Sequence, residues 1–138
     1  MLLDSSIFVD SDLPVSARNQ ESVLGITRRI CEEGDESWKL WLFEFVDDLR
    51  RRPAEALIVD PPVPETPPRL RALIASTVEA LCDELDLPWP RWTRDVPSLP
   101  EPWFVSGIEN LKATALVESP AWFRKRNIFV LGNFLDRR

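Results

Sequence analysis

The chain contains no histidine and no tyrosine among its 138 residues. The side chain that most often acts as a general base or activates a nucleophile is therefore missing. Only four glycines are present, and none belongs to a motif that cradles phosphate. No carboxylates have the spacing and supporting ligands of a metal site. We predict no catalytic residues and no cofactor, although a site built from Asp, Glu, Ser and Lys stays an open alternative.

Cysteine is also scarce, with Cys31 and Cys82 as the two thiols of the chain. Both fall on apolar or boundary positions of predicted helices, which is typical of small buried hydrophobic side chains. A disulfide would require the two helices to pack closely, and a cytoplasmic setting disfavours one. Two isolated thiols without histidine do not make a zinc site, so we predict no bound metal.

Long apolar runs are absent too. The longest span a few residues, such as residues 128–131, whereas a membrane-spanning helix needs about 20. Residues 1–4, MLLD, lack the basic start and long apolar middle of a signal peptide. We therefore expect a cytoplasmic protein without a membrane segment.

Proline and tryptophan, by contrast, are abundant, with 13 and 6 residues. The prolines of residues 60–68 forbid a helix interior and predict a stiff strap between helices, with a ligand for a proline-reading domain as the alternative. Residues 87–104 are too apolar for a solvated linker, so we predict an ordered loop packed on the helices. Stacking of nucleotide bases on its aromatic rings is the alternative function. The predicted anchors are Trp89, Trp92, Trp103 and Phe104.

Hydrophobic periodicity predicts about five helices. Their approximate ranges are residues 16–34, 35–52, 66–87, 106–117 and 121–126. Ser16 and Asp35 are the expected N-caps of the first two helices, and Gly34 is expected to end the first. We predict an all-α, single compact domain over residues 1–138, with residues 1–14 either frayed or laid against the body of the domain.

The apolar positions also predict which faces are buried. The second helix, widened by Leu40 and Phe43, should be buried on two sides. The third should bury one leucine-rich stripe and turn residues such as Glu79 to solvent. The fourth is expected to place four side chains inward, namely Ile108, Leu111, Ala115 and Leu116.

Charge is distributed unevenly. The net charge is −6, yet residues 119–138 hold five basic side chains and a single acidic one, a net +4, so the other residues carry −10. Phosphate contacts need clustered Lys and Arg, so the acidic total opposes nucleic-acid binding, while the basic end keeps it as an alternative. The Arg50–Arg52 triplet fits a helix C-terminus better than a nucleic-acid contact.

In the C-terminal segment, a proline predicts the start of a short helix. Ser119 is expected to cap a short helix that has Pro120 at its first position. Within that helix, Trp122 and Phe123 should face inward and residues 124–126 outward. Residues 128–131 are too apolar for a free tail, so we predict that they are buried in this domain or in a partner.

The stretches LPWPRWT, LPEPWF and SPAWFRKRNIFV resemble a pattern of small uncharacterised helical proteins of bacteria. The match covers about the last 50 residues and, more weakly, the third helix. Members of that group are commonly encoded beside nucleotidyltransferase-like genes in toxin–antitoxin-type modules, so the resemblance implies a protein partner. The matching positions are Pro88, Pro90, Trp92, Pro102, Trp103, Phe104, Ser119, Pro120, Phe123, Arg124, Arg126, Ile128 and Phe129.

These observations predict a noncatalytic protein that binds another protein, as the antitoxin-like member of a two-gene module whose toxin is nucleotidyltransferase-like. The alternative is a nucleic-acid-binding regulator that uses the basic C-terminal segment. The predicted partner-binding residues are Trp89, Trp92, Trp103, Phe104, Arg124, Lys125, Arg126 and Phe129.

Overall fold

A computed structural model describes residues 22–136, which form a mainly helical fold. The α-helices are α1 Val23–Glu33, α2 Trp38–Arg51, α3 Pro68–Leu85, α4 Lys112–Glu118 and α5 Ala121–Arg124. The strands are β1 Trp103–Phe104 and β2 Ile128–Phe129. Short 3-10 turns occur at Asp35–Ser37, Glu55–Leu57, Arg91–Asp95 and Glu109–Leu111. The mainly helical prediction is confirmed, and the two strands are a feature that an all-α class does not include.

Helix α1 begins and ends at residues suited to those positions. Ser22 is its N-cap and accepts a hydrogen bond from the Gly25 amide, so the predicted start near Ser16 is wrong. Gly34 ends the helix with a φ of 113°, a conformation that costs glycine little, as expected. Asp35 opens a 3-10 turn rather than capping α2, which starts at Trp38. The predicted frayed residues 1–14 lie outside the described part of the chain.

Helix α3 is the centre of the fold. Every residue from Ala72 to Cys82 is buried, and α2, α5 and the 3-10 turn after Pro90 all pack against this helix. Pro68 occupies its first position, where the missing amide hydrogen costs nothing. From Ala72 to Cys82 the helix has no solvated side, so the predicted exposure of Glu79 is wrong.

The segment of residues 87–104 packs on the helices, as predicted. Trp89, Trp92 and Trp103 are half-buried against the core. The Trp92 indole donates a hydrogen bond of 2.8 Å to the Ile58 carbonyl, 34 residues earlier in the chain. The loop is therefore part of the folded body.

The strands form a parallel pair that joins this loop to the C-terminal segment. Trp103 lies opposite Ile128, and Phe104 lies opposite Phe129. Ile128 and Val130 are fully buried, which confirms the predicted burial of this run and locates it within this domain. Two-residue strands are too short to show a period-two pattern, so the sequence did not predict them.

Several predicted burials are wrong. Leu40 is 57% exposed on α2, and Cys31 is an exposed free thiol, whereas Cys82 is buried as expected. In the segment of residues 108–118, Ala115 is buried, but Ile108 and Leu116 are 53% and 47% exposed. None of the helices within residues 22–136 has the length and apolarity to cross a membrane.

Candidate functional site

A buried ion cluster lies beneath the loop of residues 87–104. The Glu79 carboxylate on α3 is fully buried and accepts two hydrogen bonds from Arg126, at 2.8 and 3.0 Å. Lys125 Nζ lies 2.8 Å from the same carboxylate. Arg126 was predicted to face outward, but its side chain is 4% exposed, so that prediction is wrong. Paired geometry of this kind is what permits charges in a protein interior.

Arg126 also joins three segments of the chain. Its guanidinium donates to the Thr93 carbonyl at 2.6 Å and to the Val96 carbonyl at 3.2 Å, both in the loop. Burial raises the pKa of Glu79, but the hydrogen bonds and positive charges of Arg126 and Lys125 outweigh it, and the pKa is lowered overall. The cluster therefore holds the fold together as an ionised unit.

Asp83, one turn further along α3, holds two indoles. Its carboxylate oxygens accept hydrogen bonds from Trp89 and Trp122, each at 2.9 Å. The Lys125 ammonium lies 4.9 Å from the centre of the Trp89 ring, within the range of a cation–π interaction. Although Asp83 is exposed, its two hydrogen bonds attach the loop and α5 to α3.

Ser119 forms hydrogen bonds with the backbone at the outer edge of β2. Its hydroxyl donates to the Ile128 carbonyl at 3.1 Å and accepts from the Val130 amide at 3.2 Å. It makes no capping hydrogen bond to α5, so the predicted N-cap role is wrong. Arg124 donates to the carbonyls of Val117 and Ser119 at the end of α4, where orphan carbonyls need donors.

The segment of residues 108–118 carries three exposed apolar side chains, and the outer side of this segment is here named the 108–117 surface. Its members Ile108, Leu116 and Val117 are 53%, 47% and 79% exposed. They account for three of the five exposed large hydrophobic side chains of the described chain. Beside them, on β1 and β2, Phe104 and Phe129 stack with ring centres 5.2 Å apart.

A second open feature, the Trp38–Trp103 cleft, has a volume of about 260 Å³. The two indoles meet edge to face at 6.1 Å, and the Arg69 guanidinium lies 4.6 Å from the Trp103 ring centre. Two carboxylates lie at one wall of the cleft. Its lining residues are Asp35, Glu36, Trp38, Pro67, Arg69, Leu70 and Trp103.

The predicted partner-binding residues separate into two groups. The first makes internal contacts that hold the loop and the C-terminal segment in place, and its members are Trp89, Trp92, Arg124, Lys125 and Arg126. The second lies half-buried at the sheet, and its members are Trp103, Phe104 and Phe129. The sequence did not indicate the cleft, because its walls come from three distant segments and Trp38 fitted the apolar stripe of a helix.

Comparison with known proteins gives no relative for this chain: no family model, curated protein or solved structure matches it. Within residues 22–136, no three acidic or thiol side chains lie close enough together to hold a metal ion.

Proposed function

We propose that this protein is a noncatalytic, cytoplasmic binding protein that docks on another protein through its 108–117 surface. The observation that carries the proposal is the exposure of Ile108, Leu116 and Val117 on one short segment. Clustered exposed apolar side chains on a folded domain are typical of surfaces that bind proteins.

The local structure supports this interpretation. Helix α4 has seven residues and buries only Ala115, so its own core contacts are few. Isolated helices of this length are unstable in water, and packing normally stabilises them. A partner that covers Leu116 and Val117 would supply the packing that the domain does not.

The resemblance of the C-terminal residues supports a particular class of partner. Ser119 and Arg124, which match that pattern, fix the end of α4 and the edge of β2. These two residues thus fix the C-terminal end of the segment that carries the 108–117 surface. From the sequence resemblance we propose that the protein is the antitoxin-like member of a two-gene module and binds a nucleotidyltransferase-like toxin.

Several basic residues of the described chain already have carboxylate partners, which weakens the nucleic-acid alternative. Arg50 pairs with Glu84 at 2.8 Å, and Arg51 pairs with Asp48 at 3.2 Å. Arg126 is buried on Glu79. Cations already neutralised by carboxylates offer little to phosphate.

Co-expression with the neighbouring gene product, followed by co-purification and a growth assay, tests the proposal. Leu116→Asp and Val117→Asp should abolish both association and rescue of growth, because each places a charge on the apolar contact. Val59→Asp is the matched control, since Val59 is 59% exposed on a different segment and should leave both readouts unchanged.

Failure of the unmodified protein to associate would overturn the proposal, as would full association by both 108–117 variants. Light scattering of the protein alone identifies the other possible occupant. A dimer that Val117→Asp dissociates would assign the surface to a second copy of the chain and reject the toxin.

A further inference from the structure

We infer that the Trp38–Trp103 cleft is a separate binding site for a lysine or arginine side chain of a peptide. It is distinct in its residues and chemistry from the 108–117 surface, and the inference does not depend on the proposed function.

The cleft is preformed by elements held in place independently. Trp103 belongs to β1 and donates its amide to the Asn127 carbonyl at 3.0 Å. Trp38 starts α2 directly after a 3-10 turn, which the Ser37 hydroxyl ties to the Gly34 carbonyl at 2.7 Å. Leu70, buried on α3, forms part of the floor. Little ordering is therefore required when a ligand enters.

Charge at the cleft favours a cation. Within residues 22–136, the exposed carboxylates of Asp35 and Glu36 have no Lys or Arg within ion-pair distance. Both residues belong to the lining of the cleft, so their carboxylates add negative charge there without a counter-ion of their own. A basic side chain would supply it while its aliphatic stem packs on the indoles.

Each indole of the cleft already contacts a basic side chain of this chain. The Arg69 guanidinium lies 4.6 Å from the Trp103 ring centre, and Lys39 Nζ lies 6.0 Å from that of Trp38. These distances are in the range of cation–π attraction. Arg69 and Lys39 would repel a second cation from these ring faces, so the ligand's charge should lie toward Asp35 and Glu36.

Peptide titrations monitored by the NMR signals of the indole N–H groups test the inference on the full chain. The probe is a capped tetrapeptide with a central lysine, compared with the same peptide carrying norleucine or glutamate. The lysine peptide should shift the signals of Trp38 and Trp103, which Trp→Phe variants assign. The uncharged norleucine peptide should bind much more weakly, because it retains only the stem.

Variants separate charge from shape. The double change Asp35→Asn and Glu36→Gln should weaken lysine-peptide binding by about fivefold per carboxylate, the upper range for exposed ion pairs. Arg69→Gln should strengthen binding, since it removes the opposing cation. The control pair Asp95→Asn and Glu101→Gln alters exposed carboxylates that do not line the cleft and should change little.

Three outcomes would overturn the inference. The first is the absence of any shift with lysine peptide at millimolar concentration. The second is equal or tighter binding of the norleucine or glutamate peptide. The third is an equal loss of binding in the cleft variant and the control variant, because that would indicate general attraction to an acidic protein.

Discussion

At the scale of single residues, the cluster of Glu79 and Arg126 places two charges inside a dry part of the fold. Such a pair adds little net stability compared with apolar residues, but removing one partner leaves the other buried and uncompensated. Arg126 contacts loop carbonyls as well as the carboxylate, so its loss also leaves those acceptors without donors.

We therefore expect Arg126→Ala to lower the free energy of unfolding by about 3–5 kcal/mol, measured by urea denaturation. Arg94→Ala is the matched control, because Arg94 is exposed and should lose under about 0.5 kcal/mol. The double variant Glu79→Met and Arg126→Met should recover part of the loss. Similar losses for Arg126→Ala and Arg94→Ala would contradict the structural role of the cluster.

At the scale of elements, the backbone groups at the outer edge of β2 form hydrogen bonds with a side chain, where a larger sheet would have a third strand. Because the Ser119 hydroxyl bonds both Ile128 and Val130, we expect Ser119→Ala to cost about 1–3 kcal/mol of unfolding free energy. Ser98→Ala, which removes an exposed hydroxyl, should cost little. Hydrogen exchange should also accelerate at the Val130 amide, and an unchanged rate there would contradict the assignment.

The sequence predicted those elements whose pattern is long and local. Eighteen residues of leucine-rich periodicity defined α3, whereas the segment of residues 109–118 was too short for its periodicity to say which face is buried. Ser119 precedes a proline, a typical cap position, but its bonds go to a strand nine residues later. The Trp38–Trp103 cleft depends on contacts between distant segments, which periodicity does not describe.

At the scale of the whole molecule, the position of Glu79 links stability to pH. Burial raises its pKa, but bonds and charge from Arg126 and Lys125 outweigh burial, so the folded-state pKa lies below the usual value of 4.5. The folded state therefore binds this proton less readily than the unfolded chain. The stabilisation is complete above the unfolded-state pKa and is lost as pH falls through 4.5 toward the lower folded-state pKa.

The same link predicts how a variant should respond to acid. Glu79→Gln should be less stable than the unmodified protein near neutral pH, because Arg126 stays buried without its counter-charge. The gap in unfolding free energy should narrow as the pH drops below about 4, since only the unmodified protein has this carboxylate to protonate. Urea titrations at a series of pH values from neutral to acidic give the dependence of the unfolding free energy on pH for each protein. Glu101→Gln is the exposed control, and its pH dependence should parallel that of the unmodified protein. Parallel slopes for Glu79→Gln would mean that other carboxylates govern acid unfolding, and the buried cluster would then have no part in it.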